Sequence, residues 1–390
     1  MKEKIIFITK ALWFGGIETA LVNLLGHFDY DRYDVTLLVL QADLDMLDRV
    51  PDRCRVLIID RDHRAGNDRP YPYSRLFHMT EKTGHYSALH RKMMWTVPAI
   101  RAIENRLFIG HVKKTLAKEH FKTAVIYSDI VGEIAVRSIR ADRFLMYYHH
   151  GAMRRVWHDE IAYKKADRII AVSENQARSL REFLPKYAGK ICVIHNLADI
   201  EGIRQMGNEE AEDRFDRNKL NIVSVGRVSP EKGMDLAVRT CSRLVKDGFH
   251  DLQWWIVGGG PASKEVRELI RQTGMNDYVR MTGMKANPFP YIRLADLYVQ
   301  PSRFEGYPMT VLEALVLGQP VISTDNPGAA EIIEDQRTGL LCPIDIEAIA
   351  ESIEELFRNP GRLAAMRQHV EELDFERQNQ ECLRRLEELL

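Results

Sequence analysis

The chain has 390 residues, 45% of them hydrophobic and 28% charged, with a formal net charge of -1. That length exceeds one ordinary core and predicts two domains, and the near-neutral balance gives no reason to expect nucleic acid as a partner. Its five cysteines (Cys54, Cys192, Cys241, Cys342, Cys382) are odd in number, widely spaced and without a C-x-x-C pair, so they read as reduced cytosolic thiols, with neither a disulfide nor a zinc site expected.

The opening MKEKIIFITKALWFGG has an apolar run broken at Lys10 and followed by Gly15, Gly16 and Glu18, which fits a first strand better than a secretory signal. No window supplies the roughly 18 apolar residues a membrane-spanning helix needs, so any membrane contact is expected to be peripheral. A strand over 5–9, a loop over 13–16 and a helix over 18–25, with Leu21, Leu24 and Leu25 on one face, begin the pattern. Further strands are predicted over 35–40, 55–59, 123–127, 144–148 and 168–172, mostly separated by helices, which is the signature of a parallel doubly wound sheet.

Residues 60–118 interrupt this alternation. Gly66, Pro70, Pro72 and Gly84 punctuate a stretch rich in Tyr71, Tyr73, Arg75, Phe77, His85, Tyr86, Arg91, Lys92 and Trp95. Two readings stand side by side: an inserted acceptor-binding or membrane-surface element, and a pair of surface helices with snorkelling basic side chains. A strand over 191–194 then ends in His195-Asn196, and the strongly polar 201–219 is read as the interdomain linker. Alternation restarts with strands over 221–225, 253–257, 279–282, 297–300, 321–323 and 339–342, and helices over 346–357, 361–369 and 375–390 close the chain.

The stretch ADLYVQPSRFEGYPMTVLEALVLGQPVIST (295–324) reads as strand, loop, helix, strand, with Pro308 suited to the first helical turn and Gly318 to the position past its end. The helix is apolar around its whole circumference, which predicts burial on all sides, yet it carries Glu313. A buried carboxylate needs donors aimed at it, from the protein or from a ligand. Glu305 lies in the preceding loop, at the carboxyl edge of the sheet where α/β folds bind ligands. In VGRVSPEKGMD, Arg227 and Lys232 precede a helix start; cations beside a positive helix end make sense where a diphosphate sits, and solvent-facing basic residues are the bland alternative. Gly15-Gly16 and the 257–261 turn VGGGP permit close backbone approach, without a G-x-G-x-x-G fingerprint. His149-His150-Gly151 ends a strand on the same kind of edge. A metal site with His158 and Asp159 matches no ligand spacing, leaving a histidine that bonds a bound hydroxyl or a core histidine. Asp43-Leu44-Asp45 mimics a metal-binding D-x-D but falls at the start of an amphipathic helical segment with Met46 and Leu47 inward, and is discounted.

In this order and on these strand ends, GGIE (15–18), HG (150–151), HNLAD, VGRVSPEKG, VGGGP and the E-x7-E pair Glu305/Glu313 followed by GQPVIST resemble the retaining GT-B glycosyltransferases of family 4 over nearly the whole chain. The resemblance implies an α/β GT-B fold, with two Rossmann-like domains facing across a cleft: 1–200 for the acceptor, 201–374 for the nucleotide-sugar donor, and a helix over 375–390 crossing back to the first domain. It implies that Glu313 bonds the ribose hydroxyls. Glu305 and the backbone of Gly306, Tyr307, Pro308, Met309 and Thr310 would face the donor sugar and phosphate. Arg227 and Lys232 would neutralise the diphosphate, Gly16 would close over it, and His150 would flank the reacting sugar. Main chain at Gly283 and Met284 would hold the base. The donor implied is a nucleotide sugar, by default a UDP-sugar, and the acceptor a glycan or lipid-linked hydroxyl at the inner membrane face in cell-surface polysaccharide synthesis. The implied location is the cytoplasm, with neither cofactor nor metal. A nucleotide-sugar 2-epimerase and a non-catalytic transferase-like partner share the fold class; Arg227/Lys232 and the two acids favour transfer.

Overall fold

The computed structural model describes residues 2–59, 63–64, 67–70, 97–149 and 160–390. Short apolar runs buried on both faces make up most strands of two parallel sheets, the expected consequence of covering each sheet with helices. The first sheet runs in the order β3 (Arg55–Ile58), β2 (Tyr33–Val39), β1 (Glu3–Thr9), β6 (Phe121–Ile126), β7 (Ala141–Tyr148), β8 (Arg168–Ala171), β9 (Ile191–Val193). A separate antiparallel hairpin, β4 (His63–Arg64) with β5 (Asn67–Pro70), lies within the interrupted region. The second sheet runs β12 (Val279–Gly283), β11 (Leu252–Val257), β10 (Leu220–Val225), β13 (Leu297–Gln300), β14 (Val321–Thr324), β15 (Gly339–Cys342).

In both sheets the order reverses beside the first strand, between β1 and β6 and between β10 and β13. Loops leaving the carboxyl ends of these strands diverge and open a crevice, which is where open α/β sheets bind ligands. The loops after β10 and β13 carry Arg227, Lys232 and Glu305. The loop after β1 carries Gly15 and Gly16 and leads into α1 (Gly16–Gly26).

Two boundaries differ from the sequence expectation. Residues 201–219 are not simply a linker: α6 (Ile200–Gly207) buries Ile200 and Ile203 against α9 (Phe289–Leu294) and α10 (Met309–Val316), so the crossing between sheets lies before it, at 194–199. Asp199 caps α6 by accepting from the Gly202 amide at 3.0 Å. Asp43 and Asp45 stand in a turn rather than a helix; Met46 alone of that group is fully buried, and only a single 3-10 turn, Leu47–Arg49, follows.

The remaining helices of the described chain are α2 (Val97–Thr115), α3 (Gly132–Ser138), α4 (Glu160–Lys165), α5 (Glu174–Phe183), α7 (Met234–Lys246), α8 (Ser263–Gln272), α11 (Ile346–Arg358), α12 (Pro360–Glu371) and α13 (Phe375–Glu387). The last of these leaves the second domain and lies on the first. Asn379 bonds both main-chain groups of Ala198, accepting from its N–H at 3.2 Å and donating to its carbonyl at 2.7 Å. The Leu390 carbonyl accepts from the Thr123 hydroxyl at 2.8 Å. Phe375, Cys382, Leu386 and Leu390 are buried in a core that runs from one domain into the other.

Candidate active site

Helix α10 fixes the centre of the cleft. Its sequence, MTVLEALV, is buried over seven of eight positions, and Gly318 just past its end takes φ 79°, the left-handed turn that a helix stop of this kind requires. Pro308 sits at its N-cap rather than inside the first turn. Glu313 is 6% exposed, and its carboxylate accepts no hydrogen bond from any described residue. Burial raises its pKa from 4.5 to about 7, with Arg49 of the other domain pulling the other way. None of the described residues supplies the donors that such a buried carboxylate needs.

Glu305 is equally buried, at 7% exposed, but is fully engaged. The Lys232 ammonium lies 2.7 Å from each of its oxygens. Its Oε1 also accepts from Ser302 at 2.7 Å and Gln300 at 3.1 Å. Gln300 is oriented by Tyr298 and Thr310, which donate to its Oε1 at 2.7 and 3.2 Å. The carboxylate is therefore held on one side by a buried polar network and on the other by a cation aimed along the cleft.

Lys232 closes a 3-10 turn, Pro230–Lys232, and Gly233 follows with φ 66° before α7 begins. A Cβ at Gly233 would collide with the Pro301 carbonyl, so the turn seats directly on the end of β13. Arg303 locks it there. Its guanidinium grips Asp235 with two bonds of 2.7 and 2.6 Å and the Pro230 carbonyl at 2.8 Å, while its own N–H donates to the Glu231 carbonyl at 2.8 Å. The Arg227 side chain, by contrast, is mostly exposed and among the described residues bonds Glu231 alone, at 3.1 Å.

From the opposite domain the N-terminus of α1 approaches that of α10: a Cβ at Gly16 would lie 3.9 Å from Met309 Cγ. Two helix N-termini thus point into one space, each a source of positive potential. Glu18, next along α1, is buried, and burial raises its pKa to about 7, opposed by its own backbone amide, Lys10 and Arg227. Gly15 leaves room for it, since a Cβ there would meet Glu18 Oε2 at 2.5 Å.

At the far end of the cleft, Gly283 takes φ 79° and Met284 stands 64% exposed over Gly259, to which an added Cβ would bring it within 3.0 Å. Arg49 reaches across from the first domain to the Ala286 carbonyl, 3.0 Å away, and its guanidinium lies 5.9 Å from the centre of the Phe14 ring. His149 belongs to an aromatic stack with Tyr127 and Tyr147, at 4.6 and 5.5 Å between ring centres. His150, His158 and Asp159 fall outside the described residues. Among the described residues no cluster of His, Cys, Asp or Glu has the geometry of a metal site, and no helix is long and apolar enough to cross a membrane.

Residues 14–201 match the family model "Glycosyltransferase Family 4", and residues 206–372 match "Glycosyl transferases group 1". The chain pairs a glycosyltransferase family 4 domain with a group 1 domain. The two matches meet within α6, just past the crossing between the sheets.

Relatives agree in kind. An alpha-D-kanosaminyltransferase of Streptomyces kanamyceticus is 27% identical over 248 residues, 60% of this chain and 64% of that protein. The N-acetylgalactosamine-N,N'-diacetylbacillosaminyl-diphospho-undecaprenol 4-alpha-N-acetylgalactosaminyltransferase of Campylobacter jejuni is 30% identical over 190 residues, 48% and 49% of the two chains. The matched segments thus span about half to two thirds of these relatives' length. Among solved structures, Anabaena Alr3699/HepE in complex with UDP superposes with a TM-score of 0.70 over 100% of both chains at 16% identity. A TarM mutant of S. aureus, solved with Fondaparinux, alpha-GlcNAc-glycerol and UDP, gives 0.73 over 99% of both at 14%. At such identities the likeness is one of fold, and the fold is GT-B.

Glu305, Glu313, Lys232, Gly16 and the Gly283–Met284 turn, all singled out from the sequence, lie along this cleft. Sequence reasoning assigned no role to Arg303, Arg49, Glu18 or Glu331. The first two have no periodicity to mark them. Glu18 was visible as the acid of GGIE, and its burial one turn into α1 is the signal that a sequence pattern alone does not carry.

Proposed function

We propose that the chain is a retaining glycosyltransferase that moves a sugar from a nucleoside diphosphate donor, a UDP-sugar, to a hydroxyl of a glycan or lipid-linked acceptor in cell-surface polysaccharide synthesis. The observation that carries this is the convergence of the α1 and α10 N-termini on the cleft beside Lys232, with an unpartnered buried Glu313 one turn further in. Diphosphate, ribose and base then lie in sequence: phosphates against the helix ends and Lys232, ribose hydroxyls donating to Glu313, base along Gly283 and Met284.

Cleaving the bond between the anomeric carbon and the diphosphate builds negative charge on the leaving oxygen. Lys232, Arg227 and the amides of Met309 and Thr310 stabilise it as it develops, without reorganisation at the moment of reaction. In this reading the leaving-group charge is met by the protein's own cations, so no divalent metal is needed. Glu305 Oε1 already accepts three hydrogen bonds, which disfavours it as a nucleophile. We therefore assign same-face attack by the acceptor hydroxyl, whose proton passes to the leaving phosphate oxygen. Glu305 contacts the donor sugar and holds Lys232; the role of His150 beside the reacting sugar rests on the resemblance alone. The diphospho-undecaprenol in the name of the Campylobacter relative supports a peripheral approach to acceptors at a membrane face.

The test is a screen of nucleotide sugars for binding and released nucleoside diphosphate, followed by NMR of the product's anomeric proton. Failure to bind any nucleotide sugar overturns the function, an inverted product overturns the stereochemistry, and an epimerised sugar nucleotide formed without acceptor replaces transfer with epimerisation.

A further inference from the structure

At the end of the cleft opposite Arg49, one carboxylate of the group 1 domain holds the family 4 domain directly. Glu331 follows β14 in the loop 325–331. Its Oε2 accepts from the Glu174 N–H at 2.7 Å and its Oε1 from the Asn175 N–H at 2.8 Å, so it caps α5 across the domain boundary. The same Oε2 lies 3.3 Å from His195 Nε2, at the end of β9 where the chain leaves the first sheet. The His195 ring stacks on Tyr307, with centres 5.2 Å apart and planes 14° from parallel.

Tyr307 is the residue after Gly306 in the loop that faces the donor sugar. The Glu331 loop also packs on that loop's backbone: a Cβ at Gly328 would stand 2.7 Å from the Gly306 carbonyl oxygen and 3.0 Å from that of Glu305. A single side chain therefore touches an acceptor-domain helix and the connector, while its own loop rests on the sugar-facing backbone. A bidentate carboxylate on two consecutive amides fixes orientation as well as distance.

We propose that Glu331 is a positioning residue for the transfer step, which sets the register between the acceptor domain and the sugar-facing loop by clamping the α5 N-terminus and His195. Donor binding needs the group 1 domain and the Gly16 loop. Attack by the acceptor additionally needs the two domains aligned, and a misplacement of about 1 Å can cost on the order of a hundredfold in rate. Loss of the clamp thus acts on partition: a bound donor sugar goes to water more often and to acceptor less often. This inference rests on the proposed glycosyl transfer.

The experiment compares wild type, Glu331→Ala and Glu331→Gln, the latter keeping the volume but turning one acceptor oxygen into a donor facing an N–H. Three quantities are measured: nucleotide affinity by calorimetry with UDP, the ratio of transfer to donor hydrolysis, and hydrogen exchange of the Glu174 and Asn175 amides. The expected result is a transfer-to-hydrolysis ratio lowered by roughly 10- to 100-fold, a UDP dissociation constant within about twofold of wild type, and faster exchange at those two amides, with Gln between wild type and Ala. If Ala does not fold, Gln alone decides. An unchanged ratio, or a fall in UDP affinity that matches the fall in transfer, overturns the proposal. Amide exchange is readable without any substrate, so a wild-type protein that turns over no nucleotide sugar refutes the glycosyltransferase reading separately, while unchanged exchange in both variants refutes the clamp.

Discussion

Replacing Glu313 with Gln tests the donor site and the electrostatics of the cleft together. The carboxyl titrates near 7 in the folded chain against 4.5 when unperturbed, because burial disfavours its charge. A folded pKa raised above the unfolded one gives stability that is fully present below 4.5 and lost as pH rises through about 7. The rise from 4.5 to about 7 corresponds to about 3 kcal/mol. Gln carries no such linkage. The unfolding free energy of Glu313→Gln minus that of wild type is therefore expected to rise by about 3 kcal/mol between about pH 4 and pH 8. Nucleotide affinity moves the other way: losing charge-assisted bonds from ribose hydroxyls costs about 1.5–3 kcal/mol, or roughly 10- to 150-fold in the UDP dissociation constant. Urea melts at both pH values and calorimetric titration with UDP supply the readings. A stability difference flat with pH, or undiminished UDP affinity, refutes the reasoning.

Arg303→Ala frees the Lys232 turn from Asp235 and the Pro230 carbonyl. Because that ion pair is more than a third exposed on both sides, stability falls by only about 1 kcal/mol, while turnover falls by roughly tenfold or more; Arg303→Lys, lacking the two-pronged fork, restores only part of it. Turnover unaffected by Arg303→Ala would show that Lys232 holds its place without the lock. Gly15→Ala forces a methyl to 2.5 Å from Glu18 Oε2, so UDP affinity is expected to weaken at least severalfold with little change in melting temperature, measured by calorimetry and thermal denaturation; equal affinity would show that the α1 loop gives way. Deleting 375–390 exposes the surface now covered by Phe375, Leu386 and Leu390, large apolar side chains worth about 1.5–3 kcal/mol each. The truncated chain is expected to lose cooperative melting, and a normal melting curve would sink that view.

Much of the fold was legible because its strands are buried on both faces, which leaves uninterrupted apolar runs such as IIFI in β1 and WWIV in β11. The cleft loops were legible for a related reason: Glu313 and Lys232 each break a local rule, an acid in an apolar helix and a cation at a positive helix end, and a broken rule points to a site. Residues paired across long stretches of the chain break no such rule. Glu331 and Glu174 are 157 positions apart, Arg49 and Ala286 237, and Arg303 and Asp235 68. Each looks like an ordinary solvated charge until the chain is folded. The linker was misplaced by the same cause, since 201–219 is polar enough to read as a connector although Ile200 and Ile203 give α6 a buried face.

The return of α13 to the first domain has a mechanical consequence. The polypeptide passes between the two bodies twice, outward at 194–199 and back at 372–374, and Asn379 ties the two passages together through Ala198. A single covalent tether would let the bodies swing and twist about a point. Two tethers bound to each other define a line, and rotation about a line is a motion with one degree of freedom. Any change in the angle between the two bodies is accordingly confined to rotation about that line, which leaves the α1 N-terminus a single path relative to α10.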